Sequence, residues 1–562
     1  MNPPAVATYT LSRLAQLGIE HVFGVPGDYA FPINDAAEVL AGLTWVGCAN
    51  ELNAAYAADG YARIRGAAIL STTYGVGELS ALNGVMGSKA QRLPVFHLVG
   101  MPSERIQKLG LITHHTLGDG IYDRYQPLSA TACCVQTRLT PANCVAELER
   151  VIREALRQSR PAYLLISEME AILPVLGPPA QGQPLHSLRR QPSSPAELEA
   201  AVASILQRLE RAERPVLMVT DLVRRYGLRQ QAEAFIRKAN LPAVLAPYDK
   251  GCVDEAMPQI IGLYAGADTS SAAVRAVVEE ADLVLDLGGV VAADLNTGGW
   301  TAITGQRVTV GDDWVRIDDR LFLHTALEDV LNALLARVEP REASHRGWAA
   351  DAAPRAGDAG EGLTSAAFYP LLWRHLRAGD TLVMETGSCL THLLPRALPA
   401  GVDGESQGLW GAIGWATPAC MGVALAKTSG RTWLVTGDGA HQLSLNELAV
   451  MGRYGVKPVI FVLNNGIYGA EDLLSERGHR YDDLARVQYQ LLPAAFGCHD
   501  WLTAKVETVG ALEEVLARID QTDGAAYVEV MIPEEESQPL SPRRIDRIYK
   551  LKTPGDPAAS VE

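Results

Sequence analysis

The chain has 562 residues, 48% apolar and 20% charged, with a formal net charge of −16. That length exceeds what one hydrophobic core organises and predicts about three domains. The acidic balance opposes nucleic acid and anionic membranes as partners through long-range repulsion.

The 8 cysteines form no C-x-x-C pair. Zinc-ligand spacing and a dense disulfide framework are thereby excluded, and buried free thiols in a reducing compartment are predicted. The N-terminal residues lack a basic segment followed by an unbroken apolar run, and no stretch approaches the roughly 20 apolar residues needed to span a bilayer. The expected location is the cytoplasm.

In chain order, the first block (1–173) predicts a strand over 67–73 (AAILSTT), a helix through GELSALNGVMGSKAQ and a strand in LPVFHLVG. A Pro/Gly/Ser/Gln-rich connection follows over 174–195. The second block (196–337) repeats the scheme with PVLMVTD, a helix through QQAEAFIRKA, then PAVLAP and ADLVLDLG. A second connection, mixing charge with Ala and Gly, covers 338–362. The third block (363–538) reads TWLVTGDG, a helix through LNELAVMGRYG, and KPVIFVLNNG; a basic tail occupies 539–562. Apolar runs alternating with amphipathic stretches predict an α/β protein whose three domains each carry a mostly parallel sheet flanked by helices. Blocks one and three also close alike, in RPAYLLISEM and GAAYVEVMIP, which predicts two related domains around a third.

Gly437-Asp438-Gly439 leaves a predicted strand and opens a helix, and the next strand ends in Asn464-Asn465. Glycines let backbone approach a phosphate, and a helix N-terminus offers free N–H groups. Strand tips of a parallel sheet share one edge, so the Asp438 carboxylate and the Asn465 amide oxygen are expected together. Few protein oxygens plus phosphate oxygens suit Mg²⁺. A second GDG, at Gly118-Asp119-Gly120, lacks these partners and reads as a turn. In the first block, Glu51 opens the helical run ELNAAYAADGYAR, and His114-His115 lie in THHTLGDG.

These motifs resemble the thiamine-diphosphate enzymes, and the set Asp28 (in FGVPGDY), His114, His115 and Glu471 resembles the pyruvate and indolepyruvate decarboxylases among them. The likeness extends through TTYGVGELSALNG, DLNTGG near Asn296, METG and LWGAIGWA. It implies a thiamine-diphosphate-binding fold in which Asp438, Asn465 and the carbonyl of Ile467 hold Mg²⁺. It places Thr386, Gly411, Gly437 and Gly439 against the cofactor, with Ile413 as the apolar wedge that bends it. Glu51 hydrogen-bonds the aminopyrimidine ring and activates it. Asp28, His114, His115 and Glu471 surround the reacting carbon, and Leu390, Thr391 and Leu474 line the substrate pocket. In that family each cofactor lies between the first block of one chain and the third of another, so the resemblance implies a homodimer or homotetramer.

The implied reaction is non-oxidative decarboxylation of a 2-oxo acid to CO₂ and an aldehyde through an enamine that must be protonated. Histidine and carboxyl groups with environment-tuned pKa values relay such protons. The acid is of the pyruvate, indolepyruvate, phenylpyruvate or branched-chain class. The alternative is an acetolactate-synthase-like or acyloin-forming carboligase. Two departures bear on the pocket: Ile467 stands where glycine is common, and Ser388-Cys389-Leu390-Thr391 replaces an aromatic-containing segment. No G-x-G-x-x-G occurs in the middle block, so no dinucleotide is expected there.

Overall fold

The computed structural model describes residues 3–177, 192–289, 302–342, 347–348, 358–474 and 478–534. The DLNTGG stretch and the basic tail lie outside the described residues, as do parts of both connecting stretches.

The first sheet comprises β1 (His21–Gly24), β2 (Thr44–Gly47), β3 (Ala68–Thr73), β4 (Val95–Met101), β5 (Val135–Leu139) and β6 (Ala162–Ser167), in the order β2-β1-β3-β4-β6-β5. All its pairings are parallel. Every residue of β3, β4 and β6 is buried, as expected where helices cover both faces of a parallel sheet.

The central sheet holds β7 (Pro215–Val219), β8 (Ala243–Leu245), β9 (Ile260–Leu263), β10 (Leu283–Leu287), β11 (Gln306–Val310), β12 (Trp314–Ile317) and β13 (Arg320–Leu323). Its order is β13-β12-β11-β10-β7-β8-β9. The last two strands pair antiparallel at one edge, through turns too short for a helical crossover.

The third sheet comprises β14 (Thr381–Met384), β15 (Asp403–Ser406), β16 (Thr432–Gly437), β17 (Val459–Asn464), β18 (Leu502–Val506) and β19 (Ala526–Met531), in the order β15-β14-β16-β17-β19-β18. This is the winding of the first sheet repeated strand for strand. The similar closing strands, β6 and β19, occupy the same place in both.

Both connections are partly anchored. Pro174 bridges to Ala5, and the Val175 N–H reaches the Pro4 carbonyl at 2.9 Å. In the second, the Trp348 N–H bonds the Ile260 carbonyl at 2.6 Å, and the Lys250 ammonium lies 4.8 Å from the Trp348 ring centre.

The first and third units share one core through the helices Glu51–Arg65 and Ala416–Ala426. A Cβ on Gly60 would lie 2.2 Å from the Ala419 carbonyl oxygen, and one on Gly422 would lie 1.9 Å from that of Ala57. Only glycine at these two crossings permits the contact. Buried charges pin the same junction. Asp59 accepts from Arg63 at 2.7 Å, from Ser88 at 2.7 Å and from the Trp415 indole at 2.9 Å. Glu405 is 3.1 Å from Arg63 and 2.5 Å from Arg224 of the central unit. Burial opposes its charge, but Arg224, Arg225 and Arg63 more than offset that and hold its pKa at about 2. All three units thus meet at one carboxylate.

Candidate active site

Asn50 fixes where the Glu51 helix begins. Its backbone is extended (φ −158°, ψ 169°) and its side-chain oxygen accepts the Asn53 N–H at 2.8 Å, so Glu51 is the first helical residue. Asn53 reaches the third unit, donating to Asn446 at 3.0 Å and to the buried Glu447 at 2.8 Å. The half-buried Glu51 is therefore displayed from a junction gripped on both sides.

Asp28 follows β1, and its Oδ2 lies 2.8 Å from His114 Nε2. The Tyr29 ring stacks on His114, with centroids 4.7 Å apart, and its hydroxyl lies 3.2 Å from Nδ1. His115 meets His114 edge-on at 4.6 Å. Its backbone takes a left-handed φ of 65° while the Tyr125 hydroxyl donates to its carbonyl at 3.3 Å. Burial, and then the neighbouring His114, lower the His115 pKa, while the Asp28 and Glu51 charges act in the opposite sense. Asp28, His114 and His115 thus form one cluster, with Glu51 near enough for its charge to act on His115. The second GDG is a turn, as expected: Asp119 accepts the Ile121 N–H at 3.1 Å and pairs with Arg124.

In the third unit, β16 and β17 are neighbours with Gly437 opposite Leu463, so both predicted strand tips open on one edge. Asp438 is only 2% exposed. It accepts the Gly466 N–H at 2.8 Å and the Gly439 N–H at 3.0 Å. Burial raises its pKa to about 6 against these bonds, and the strongest charge acting on it is another carboxylate, Glu529. Asn464 donates to Glu529 at 2.8 Å, whereas the Asn465 side-chain oxygen turns back to the Ile467 N–H at 3.3 Å. A buried carboxylate without a cation among its principal influences, beside an amide oxygen and a main-chain carbonyl, fits a hard divalent ion. Ile467 is not among the residues with positive φ, and Gly466 takes the left-handed turn at φ 79°. The isoleucine is therefore accommodated without strain.

Ile413 stands 37% exposed between Gly411 and Gly414, whose φ values are 68° and 85°. Thr386, at the end of β14, donates its hydroxyl to the Gln407 carbonyl at 3.2 Å, and Gly411 donates its N–H to the same oxygen at 3.1 Å. Leu390 is buried at 2% within the core of the third unit. Thr391 is half-buried and bonded to the Ser388 carbonyl at 3.0 Å. Glu471 is exposed on the short helix Gly469–Leu474; the Leu474 side chain lies outside the described residues. Among the described residues, no hydrogen bond or ion pair joins Glu471 to the Asp28 cluster within one chain.

Two participants escaped sequence reading. Tyr29 adjoins Asp28, yet only the fold lays it under His114. Glu385, within METG, is completely buried. Its oxygens accept from the Thr386 N–H at 3.1 Å, the Ala416 N–H at 3.3 Å and the Thr436 hydroxyl at 3.3 Å. It thus joins the carboxyl ends of β14 and β16 to the Ile413 loop. An acid at the end of an apolar strand was the available signal.

Three family descriptions match in order: Thiamine pyrophosphate enzyme, N-terminal TPP binding domain, over residues 4–125; the central domain over 202–334; and the C-terminal TPP binding domain over 390–530. The chain is 34% identical to an alpha-keto-acid decarboxylase of Mycobacterium leprae over 98% of both chains. It is 35% identical to a pyruvate decarboxylase of Aspergillus fumigatus over 95% of both. The fold resembles the crystal structure of benzoylformate decarboxylase from Polynucleobacter necessarius, with a TM-score of 0.78 at 18% identity, covering 95% of this chain and all of that one. With whole-length relatives joining the three matched domains and the acid–histidine cluster, the chain belongs to the thiamine-diphosphate (thiamine pyrophosphate)-dependent 2-oxo acid decarboxylases.

Proposed function

We propose that the enzyme takes a 2-oxo acid of the pyruvate, indolepyruvate, phenylpyruvate or branched-chain class and releases CO₂ and the free aldehyde. The clustering of Asp28, His114 and His115, with the Glu51 charge acting on His115, supports this reading: imidazole and carboxyl groups side by side suit the handling of protons. Thiamine diphosphate, when bound, supplies the electron sink for the pair left by departing CO₂.

Glu51 hydrogen-bonds the aminopyrimidine of that cofactor. Asp438, Asn465 and the Ile467 carbonyl hold Mg²⁺, and Gly437 and Gly439 let backbone approach the diphosphate. Ile413, with Gly411 and Thr386, would pack against the cofactor and orient it. His114, paired with Asp28, and His115 move the proton that completes the aldehyde. Glu471 meets the leaving carboxylate, and Leu390, Thr391 and Leu474 shape the substrate pocket.

The site is shared by two copies of the chain, as a dimer or a dimer of dimers. Leu111 and Ile112 beside the histidines, and Leu409, Trp410 and Ile413 on the third unit, are 48%, 68%, 40%, 40% and 37% exposed; exposed apolar side chains of this kind suit surfaces that another chain covers. Compartment follows chemistry: all 8 cysteines are free, which suits the reducing cytoplasm. Among the described residues, no helix is long and apolar enough to cross a membrane.

Product analysis across these oxo acids tests the proposal. The aldehyde is the expected product, and acetolactate from pyruvate would replace this reading with the carboligase.

A further inference from the structure

We propose that Asp28, His114 and His115 form a second cation site, which takes a borderline-soft transition ion such as Zn²⁺ and whose occupancy stops turnover. One ligand atom from each residue lies within 4.8 Å of the other two. Zinc bonds imidazole nitrogen and carboxylate oxygen at about 2.0–2.2 Å, so tetrahedral ligands stand about 3.4 Å apart. The Asp28–His114 pair, now 2.8 Å apart, opens by roughly half an ångström to admit an ion. His115 closes in by rotation of partly exposed side chains.

The surroundings suit ligation. The Tyr29 oxygen, 3.2 Å from His114 Nδ1, is placed to hold a proton on that nitrogen once an ion displaces the one shared between Nε2 and Asp28. An outer partner on the far nitrogen is what orients a metal-binding histidine. His115 Nδ1 is buried and has no hydrogen-bond partner among the described residues. The left-handed backbone of His115 and the Tyr125 bond to its carbonyl hold its main chain in place while the ring turns.

The chain would then hold two cation sites of different character. Asp438, Asn465 and the Ile467 carbonyl offer only oxygen, the preference of Mg²⁺. The Asp28 site offers two nitrogens and one oxygen, the preference of zinc, cobalt, nickel and copper. An ion there occupies the lone pairs that carry protons during turnover and stands where the oxo acid reacts. Inhibition is therefore competitive with the oxo acid. This inhibitory consequence rests on the proton-handling role proposed above, whereas binding of the ion does not.

The experiment titrates Co²⁺ into the full chain loaded with thiamine diphosphate and excess Mg²⁺, reading the visible d–d absorption. One equivalent per chain with an intense, low-coordinate spectrum is expected, and Zn²⁺ should displace it. His114→Asn and His115→Asn should each abolish that band, and Tyr29→Phe should weaken binding about tenfold. Asn465→Ala, which alters the Mg²⁺ site, should leave the band in place. Only a weak octahedral spectrum, or a band that survives both histidine substitutions, overturns the site. Zn²⁺ inhibition should be competitive with the oxo acid; a bound ion without inhibition overturns the regulatory half. Failure of Co²⁺ binding while His114→Asn still abolishes decarboxylation would reject the cation site and leave the proposed reaction standing.

Discussion

Gly60 and Ala419 touch through backbone: a Cβ at residue 60 would stand 2.2 Å from the Ala419 carbonyl oxygen. The helix that displays Glu51 is thereby seated against the third unit, and the seat depends on a missing methyl group.

Gly60→Ala should destabilise the chain by about 1–3 kcal/mol, the usual cost of overpacking a closed contact. A backbone carbonyl cannot swing away as a flexible side chain does. Denaturant unfolding followed by circular dichroism measures the change. Wild-type stability in the variant would mean that the two helices are free to separate.

Glu51→Gln keeps the size and the helix start but removes the charge. Decarboxylation should fall by about 10²–10⁴-fold, the range for a lost acid–base group. Far-UV dichroism and the unfolding midpoint should stay unchanged, since the Asn50 cap and the Asn53 bridge remain. Full activity would remove Glu51 from the mechanism.

Asp438→Asn should weaken retention of Mg²⁺ and, with it, of thiamine diphosphate. Burial lifts the carboxylate's pKa to about 6 despite its two N–H donors, and Glu529 adds like charge, so a bound cation relieves an unfavourable charge. Calorimetric titration of cofactor at fixed Mg²⁺ reads the loss. Unchanged affinity would place the metal elsewhere.

Glu385 predicts a pH dependence of stability. Burial raises its pKa from the usual 4.5 to about 7. A pKa raised in the folded state means that its contribution is complete below the unfolded value and is lost as pH rises through about 7. The total is on the order of 3 kcal/mol. Between pH 5 and pH 8, wild-type stability should therefore fall more steeply than that of Glu385→Gln. Parallel curves from pH-stepped thermal unfolding would contradict the assignment.

What the sequence determined by itself was everything carried by neighbours along the chain. Strand tips running into helices put Asp438 and Asn465 on one edge, because adjacent parallel strands share a direction. Glu51 was legible as the opening of a helical run, because the apolar spacing after it lies within a few residues. The resemblance between the blocks predicted two related domains, and their sheets wind identically.

The tertiary structure alone decided what depends on distant segments. Asp59 meets Trp415 across 356 positions, and Glu405 gathers arginines from two other units. No local pattern encodes such meetings, since they follow from how whole sheets and helices pack. For the same reason Tyr29 and Glu385 emerged only once the chain was folded. Periodicity and capping act over a few residues, whereas burial is fixed by the entire molecule.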